Sequence, residues 1–290
     1  MFRLLAIHFP DISPVALSLG PLAIKWYGLA YAAGLLAGWL YVRALLATRQ
    51  LWPAGRKPFP PDLASDLLLC SAIGVVVGGR LGDVLLYEPQ FYWEHPGEIL
   101  AVWHGGMAFH GGVIGTGLAL YVLARMRGLP ALTLIDLCVA AAPIGLFLGR
   151  IANFINGELW GRVSTVPWAM VFPDGGPLPR HPSQLYEALA EGLLLFLVLR
   201  AAIYGRGLLG RAGAVTGLFL AGYGIARIAC EMMREDTDPQ IGLGLLTSGQ
   251  MYSLPMVALG LALLYRAHAS AAPPAHVLRP AVADPAHPPR

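Results

Sequence analysis

The chain has 290 residues, of which 56% are hydrophobic and only 13% charged, and its mean hydropathy is +0.60. Soluble domains carry about 25% charged residues, so this composition excludes an ordinary soluble domain and indicates a polytopic membrane protein. The formal net charge of +3 is too small to imply a nucleic-acid partner.

In chain order, Pro10, Asp11 and Pro14 interrupt the basic-then-apolar pattern of a cleavable signal peptide. Targeting is therefore expected to fall to the first membrane span. Seven apolar runs follow, at 22–42, 63–79, 107–124, 132–150, 184–203, 213–230 and 249–265, each long enough for a transmembrane helix. The expected fold is all-α and polytopic, with about seven transmembrane helices in residues 1–266. A small irregular periplasmic cap is expected at 151–183, rich in Gly and Pro. Residues 267–290, mostly Ala, Pro and His, read as a disordered cytoplasmic tail.

Arg43, Arg49, Arg56, Lys57, Arg125, Arg127, Arg200, Arg206, Arg211, Arg266, Arg279 and Arg290 follow odd-numbered runs, and they make up 12 of the 20 basic residues. The positive-inside rule puts that face in the cytoplasm and the N-terminus outside. Trp26, Trp93, Trp103, Trp160 and Trp168 gather on the opposite side, as an aromatic belt does. Chemistry is expected there, at the outer leaflet. No internal repeat is evident, which weighs against a transporter built from paired halves.

Polar groups at membrane depth cost several kcal/mol without a partner or a water-filled cavity. The segment GRIANFINGELWGR, residues 149–162, places Arg150, Asn153, Asn156, Glu158 and Arg162 at the end of an apolar run, which points to a site. Arg offers a planar fork suited to phosphate, and Asn can orient it; the alternative is a polar network pinning the cap. Tyr223, Arg227 and Glu231 recur every four residues on one helical face. Either Arg227 and Glu231 satisfy each other, or Arg227 converges with Arg150 on a phosphate. Glu187 and Glu191 repeat the same spacing one run earlier.

His110, beside Gly111, Gly112 and Gly115, is the best base by residue type, with Glu231 and Glu158 as rivals. The glycines read as close helix packing. Arg80 and Asp83, three apart, are either a structural ion pair or, through Arg80, part of a lipid site. Tyr27 sits where interfacial aromatics anchor. Asp136, about 21 Å from Arg150 at helical rise, is too deep for the same site and reads as structural. Cys70, Cys138 and Cys230 lie within apolar runs without metal-ligand spacing, so neither a disulfide framework nor a metal site is expected. Ser183 near His181 lacks the context of a hydrolase nucleophile.

Together these residues resemble the bacterial prolipoprotein diacylglyceryl transferases. The likeness runs from about Pro10 to Arg266. It rests on SLGPLAIKWYGLAY, GGRLGDVLLYE, WHGGMAFHGGVIG, GRIANFINGELWGR, RHPSQLYEA, YGIARIACEMMRE and SGQMYSLPM. Ala152 stands where that family usually has Gly. The stretch EDTDPQIG carries one residue more than its usual spacing, leaving any role of Asp236 and Asp238 open. The resemblance implies a bacterial inner-membrane enzyme without metal or cofactor. Such an enzyme transfers the diacylglyceryl group of phosphatidylglycerol to a prolipoprotein lipobox cysteine, giving a thioether and glycerol 1-phosphate. For that chemistry His110, Arg150, Arg227 and Glu231 are the catalytic candidates by residue type, with Arg150, Glu158 and Arg80 as substrate-binding ones; the resemblance adds Tyr27 to the first group and Asn153, Gly161 and Tyr223 to the second. The competing reading is an anionic-lipid transporter or a lipid-binding scaffold without chemistry.

Overall fold

The computed structural model describes residues 7–10, 12–20, 22–53, 59–60, 62–235 and 246–269. Asp236, Asp238, Arg56, Lys57 and the tail from residue 270 lie outside the described residues.

Each apolar run folds as a helix. We label them α1 (Trp26–Ala47), α2 (Leu63–Gly82), α3 (Phe109–Arg127), α4 (Ala131–Ile155), α5 (Ser183–Arg206), α6 (Ala214–Glu231) and α7 (Ser248–Ala269). Among the described residues, α1, α2 with its extension to Tyr87, α4, α5 and α6 are long and apolar enough to cross a membrane. The chain is therefore a multi-pass membrane protein. Helices α3 and α7 are 19 and 22 residues long but are diluted by glycine and polar side chains. Leu36, Val77, Ile114, Leu118, Leu194 and Leu261 point outward, more than two-fifths exposed, as lipid-facing residues do.

The frame is mostly helical and carries two short strand pairs besides. Strands β2 (Val15–Leu19) and β3 (Leu22–Lys25) form an antiparallel hairpin, turning where Gly20 takes φ +60°. The first span thus begins at Trp26, because the backbone of Leu22–Lys25 is paired with β2 and not with a helical turn. Strand β1 (Ile7–His8) pairs in parallel with β4 (Met170–Val171), tying the N-terminal segment to the cap. Helix α4 continues to Ile155, and the segment 156–182 that joins it to α5 is here called the cap. Helix α7 keeps residues 267–269 helical.

Neighbouring helices run antiparallel, and glycines set how closely they approach. A Cβ on Gly74 would lie 2.7 Å from Thr116 Cα, and one on Gly82 would lie 2.8 Å from Gly111 Cα, so α2 and α3 touch backbone to backbone. Gly217 meets the Gly260 carbonyl in the same way between α6 and α7, at 2.8 Å. The HGGVIG glycines are therefore packing residues, as small residues at membrane-helix interfaces are.

The two ends of the bundle differ. Leu45, Leu63, Leu134, Leu137, Leu199, Ile203 and Val215 form a fully buried apolar core at one end. At that end Asp136 accepts the backbone N–H of Gly213 and of Thr216, both at 2.7 Å, and the Thr216 hydroxyl at 2.6 Å. It thereby caps the first turn of α6 from α4, the structural role its depth indicates. The alternating helix directions carry Tyr27, Arg80, His110, Arg150, Glu187, Arg227 and Tyr252 to the other end. Two helices there are locally wound as π-helix, at Asp83–Tyr87 and Ala188–Leu194. Such turns recur at functional sites.

Candidate active site

Three arginines and three glutamates interlock at the polar end. Glu187 is fully buried at the centre. Its Oε2 lies 2.8 Å from Arg150 Nε, and its Oε1 accepts from Arg227 Nη1 at 2.8 Å and from Arg234 Nη1 at 2.9 Å. Glu231 Oε2 lies 2.7 Å from Arg227 Nη2. Glu191, also fully buried, reaches Arg150 at 3.4 Å and Arg227 at 3.7 Å. The arginine side chains keep an exposed edge, 18% for Arg150 and 15% for Arg227. Tyr223, stacked on Phe219, lies within electrostatic reach of Glu191, Arg150, Arg227 and Glu187.

Unpaired charges at this depth would be expensive, and pairing lets the arginines stay ionised there. Arg227 and Glu231 do satisfy each other, one helical turn apart, yet Arg227 also converges with Arg150 on Glu187. The first reading of the Tyr223–Glu231 face therefore holds, and the two arginines also meet, at a carboxylate. Sequence reasoning noted the spacing of Glu187 and Glu191 without giving them a role, and it left Arg234 out of the site. A buried carboxylate pair on an apolar run was the available signal.

Asn153 and Glu158 pair with each other, not with Arg150. Asn153 Nδ2 donates to Glu158 Oε1 at 2.7 Å. Gln184 Nε2 donates to the Glu158 carbonyl at 2.5 Å, and Ser183 Oγ donates to the Leu159 carbonyl at 2.8 Å. These bonds hold Leu159 at φ +59°, a left-handed conformation that a non-glycine residue adopts only under such restraint. Gly161 donates its N–H to the His181 carbonyl at 2.8 Å and bridges to Arg234, joining the cap to the end of α6. A Cβ there would lie 2.8 Å from His181 Cβ and closer still to the Met233 carbonyl oxygen. Glycine is needed for that approach. In the cap, burial pushes the His181 imidazole below its ordinary pKa. Its Nδ1 lies 3.1 Å from the Tyr186 hydroxyl, which also receives the Trp168 indole N–H at 2.6 Å.

Arg80 has other partners. It is 5% exposed, and its Nε, Nη1 and Nη2 donate to the carbonyls of Ile99, Gly105, Gly106, Glu98 and Ala101. All five of its N–H groups thus meet backbone oxygens of the 98–106 segment. The expected link to Asp83 runs through Tyr92, whose ring lies 5.0 Å from the guanidinium and whose hydroxyl donates to Asp83 at 2.8 Å. That bond, then burial, raises the Tyr92 pKa.

His110 Nδ1 lies 3.2 Å from the Tyr87 hydroxyl, and its ring meets Tyr252 edge-on at 5.2 Å. Three residues before Tyr252, a Cβ on Gly249 would lie 2.6 Å from Glu231 Cδ. The first turn of α7 therefore touches both His110 and the arginine network. The Tyr27 and Tyr31 rings are tilted against each other, centroids 5.0 Å apart, at the start of α1.

Chemically, two guanidinium groups with free edges, rooted on different helices, suit a single anionic oxygen cluster such as a phosphate. A histidine borders the same helix turn. Among the described residues, no group of three or more His, Cys, Asp or Glu is placed to hold a metal ion.

Residues 14–266 match the family model for prolipoprotein diacylglyceryl transferase. A phosphatidylglycerol–prolipoprotein diacylglyceryl transferase of Methylocella silvestris is 57% identical over 93% of this chain and 98% of its own length. Proteins of the same name from Rhizobium leguminosarum and Brucella canis are each 51% identical, over 93% and 92% of this chain and 97% and 96% of theirs. With the motifs, the helical frame and whole-length likeness in agreement, the chain belongs to the prolipoprotein diacylglyceryl transferase family.

Proposed function

We propose that this protein transfers the diacylglyceryl group of phosphatidylglycerol to the lipobox cysteine thiol of prolipoproteins. The observation that carries the reading is the convergence of Arg150 and Arg227 on Glu187, each with an exposed guanidinium edge. Relatives matched over nearly their whole length are named for this donor and acceptor.

In the reaction the cysteine sulfur forms a bond to the terminal glyceryl carbon of the lipid. The bond from that carbon to the phosphate oxygen breaks, and its electron pair leaves with glycerol 1-phosphate. Arg150 and Arg227 hold the phosphate and stabilise the charge that grows on the departing oxygen. The thiolate is the nucleophile. His110 takes the thiol proton on Nε2 while Tyr87 holds Nδ1. Asn153, Glu158 and Gly161 fix the cap over the network, and Tyr223 and Tyr27 border the headgroup. Arg80 acts as a positioning residue, because its donors are engaged by the 98–106 segment that leads into α3.

All seven helices span the bacterial inner membrane in this reading. The N-terminus is outside, the C-terminus is cytoplasmic, and the polar end faces the outer leaflet, where exported prolipoproteins and lipid meet. The test uses purified protein, phosphatidylglycerol and a lipobox peptide, with mass analysis of the peptide. Arg150→Lys and Arg227→Lys keep charge but lose the bidentate fork. Both are expected to insert normally and lose most transfer. Near-normal turnover in both variants would defeat the phosphate assignment.

A further inference from the structure

We infer that Glu191 is a specificity-determining residue, setting the charge of the phosphate site so that it takes a phosphodiester monoanion in preference to a phosphomonoester dianion. The inference rests on the proposed function and adds a discrimination which that reading does not contain.

Three features of Glu191 carry it. The first is position. Its carboxylate stands between the two guanidinium groups taken to hold phosphate, with Oε2 toward Arg150 and Oε1 toward Arg227. The second is looseness. Those contacts are 3.4 and 3.7 Å, whereas Glu187 meets Arg150 and Arg227 at 2.8 Å and Glu231 meets Arg227 at 2.7 Å. Glu191 therefore contributes its charge to the space between the arginines without consuming their best hydrogen-bonding directions. The third is restraint. Glu191 lies in the π-helical stretch Ala188–Leu194, and a Cβ on neighbouring Gly192 would lie 2.7 Å from Phe147 Cα. The backbone is pressed against α4 there, so a fully buried Glu191 cannot swing away into lipid.

Charge counting gives the consequence. With all six groups ionised, Arg150, Arg227 and Arg234 balance Glu187, Glu191 and Glu231. A phosphodiester brings one negative charge. A phosphomonoester, whose second pKa is about 6, brings close to two at neutral pH. The network is neutral before the lipid binds, so the monoester's extra charge gains no further cation, and Glu191 repels it in a site with little water. The lipid donor is a diester and the departing glycerol phosphate is a monoester, so the same carboxylate that tolerates the substrate speeds release of the product.

The experiment compares the full-length protein with Glu191→Gln and Glu191→Asp in lipid nanodiscs. It measures KM for phosphatidylglycerol and the inhibition constant of sn-glycerol 1-phosphate. The amide keeps shape and removes one negative charge. Unit charges a few ångströms apart in a partly dry site interact strongly. The ratio of inhibition constant to KM should therefore fall by at least about tenfold in Glu191→Gln and stay near wild type in Glu191→Asp. If the amide variant turns over too slowly, equilibrium dialysis of radiolabelled sn-glycerol 1-phosphate reads the same gain in monoester affinity. If it fails to accumulate, Glu231→Gln adds the same charge at the network's edge. An unchanged ratio with charge-removing variants overturns the inference. Should Arg227→Lys change neither constant, the phosphate site itself is misplaced, which is a separate failure.

Discussion

Arg80→Lys separates two roles for a residue whose type alone suits either. As a headgroup ligand, Arg80 would present free N–H groups to lipid. In the fold its five N–H groups already serve five carbonyls of the 98–106 segment. Lysine has three N–H groups on one nitrogen, so at least two carbonyls lose their donor. Each unsatisfied buried group costs about 1–3 kcal/mol. Ala101 is buried and Glu98 and Ile99 are half-buried, whereas Gly105 and Gly106 are exposed, so water can replace some of the lost bonds. The cost is then nearer about 2 kcal/mol, with further loss from the guanidinium's place over Tyr92. Thermal unfolding in detergent should show a melting temperature lower by several degrees. Limited proteolysis should cut faster between residues 98 and 106. KM for phosphatidylglycerol should change less than kcat, because the segment leads to His110 and not to the phosphate. A variant with wild-type melting and proteolysis but a raised KM would refute this reasoning and return Arg80 to the lipid site.

Gly161→Ala forces a Cβ onto the His181 and Met233 backbone. Overpacking of this kind costs about 1–3 kcal/mol, and displacing Met233 moves Arg234 off Glu187. Transfer should drop sharply while circular dichroism shows unchanged helix content, and full turnover would contradict the strap between cap and α6. Asp136→Ala strips three donors at the start of α6 of their acceptor. It should destabilise the protein by at least about 3 kcal/mol with KM unaltered in what folds; wild-type thermal stability would argue against the capping role. A periplasm-dependent reporter fused after residue 290 should stay silent. A strong signal would reverse the membrane orientation.

Much of the candidate site was legible in residue type. Arg150, Arg227, Glu231 and His110 stand out because ionisable groups on apolar runs are costly and so seldom incidental. Their partners were not legible. Glu187 is 37 residues from Arg150, 40 from Arg227 and 47 from Arg234 in the chain. Asn153 and Glu158 look like companions of Arg150, yet the cap turns them toward each other. Arg80 and Arg150 look equivalent as cations near helix ends, and only their acceptors tell them apart.

The sequence alone determined where the helices lie, because lipid obliges each spanning segment to satisfy its own backbone hydrogen bonds and to be apolar over its own length. That requirement is local, so a run of side chains reports it directly. It also determined the family, through short motifs that are specific in combination. Only the tertiary structure decided that β3 pairs with β2 instead of joining α1, that Glu187 links three arginines, and that Asp136 caps a helix from its neighbour. Those outcomes depend on which helix faces which and at what height. The glycine contacts of α2 with α3 and of α6 with α7 set that arrangement through packing between segments far apart in the chain.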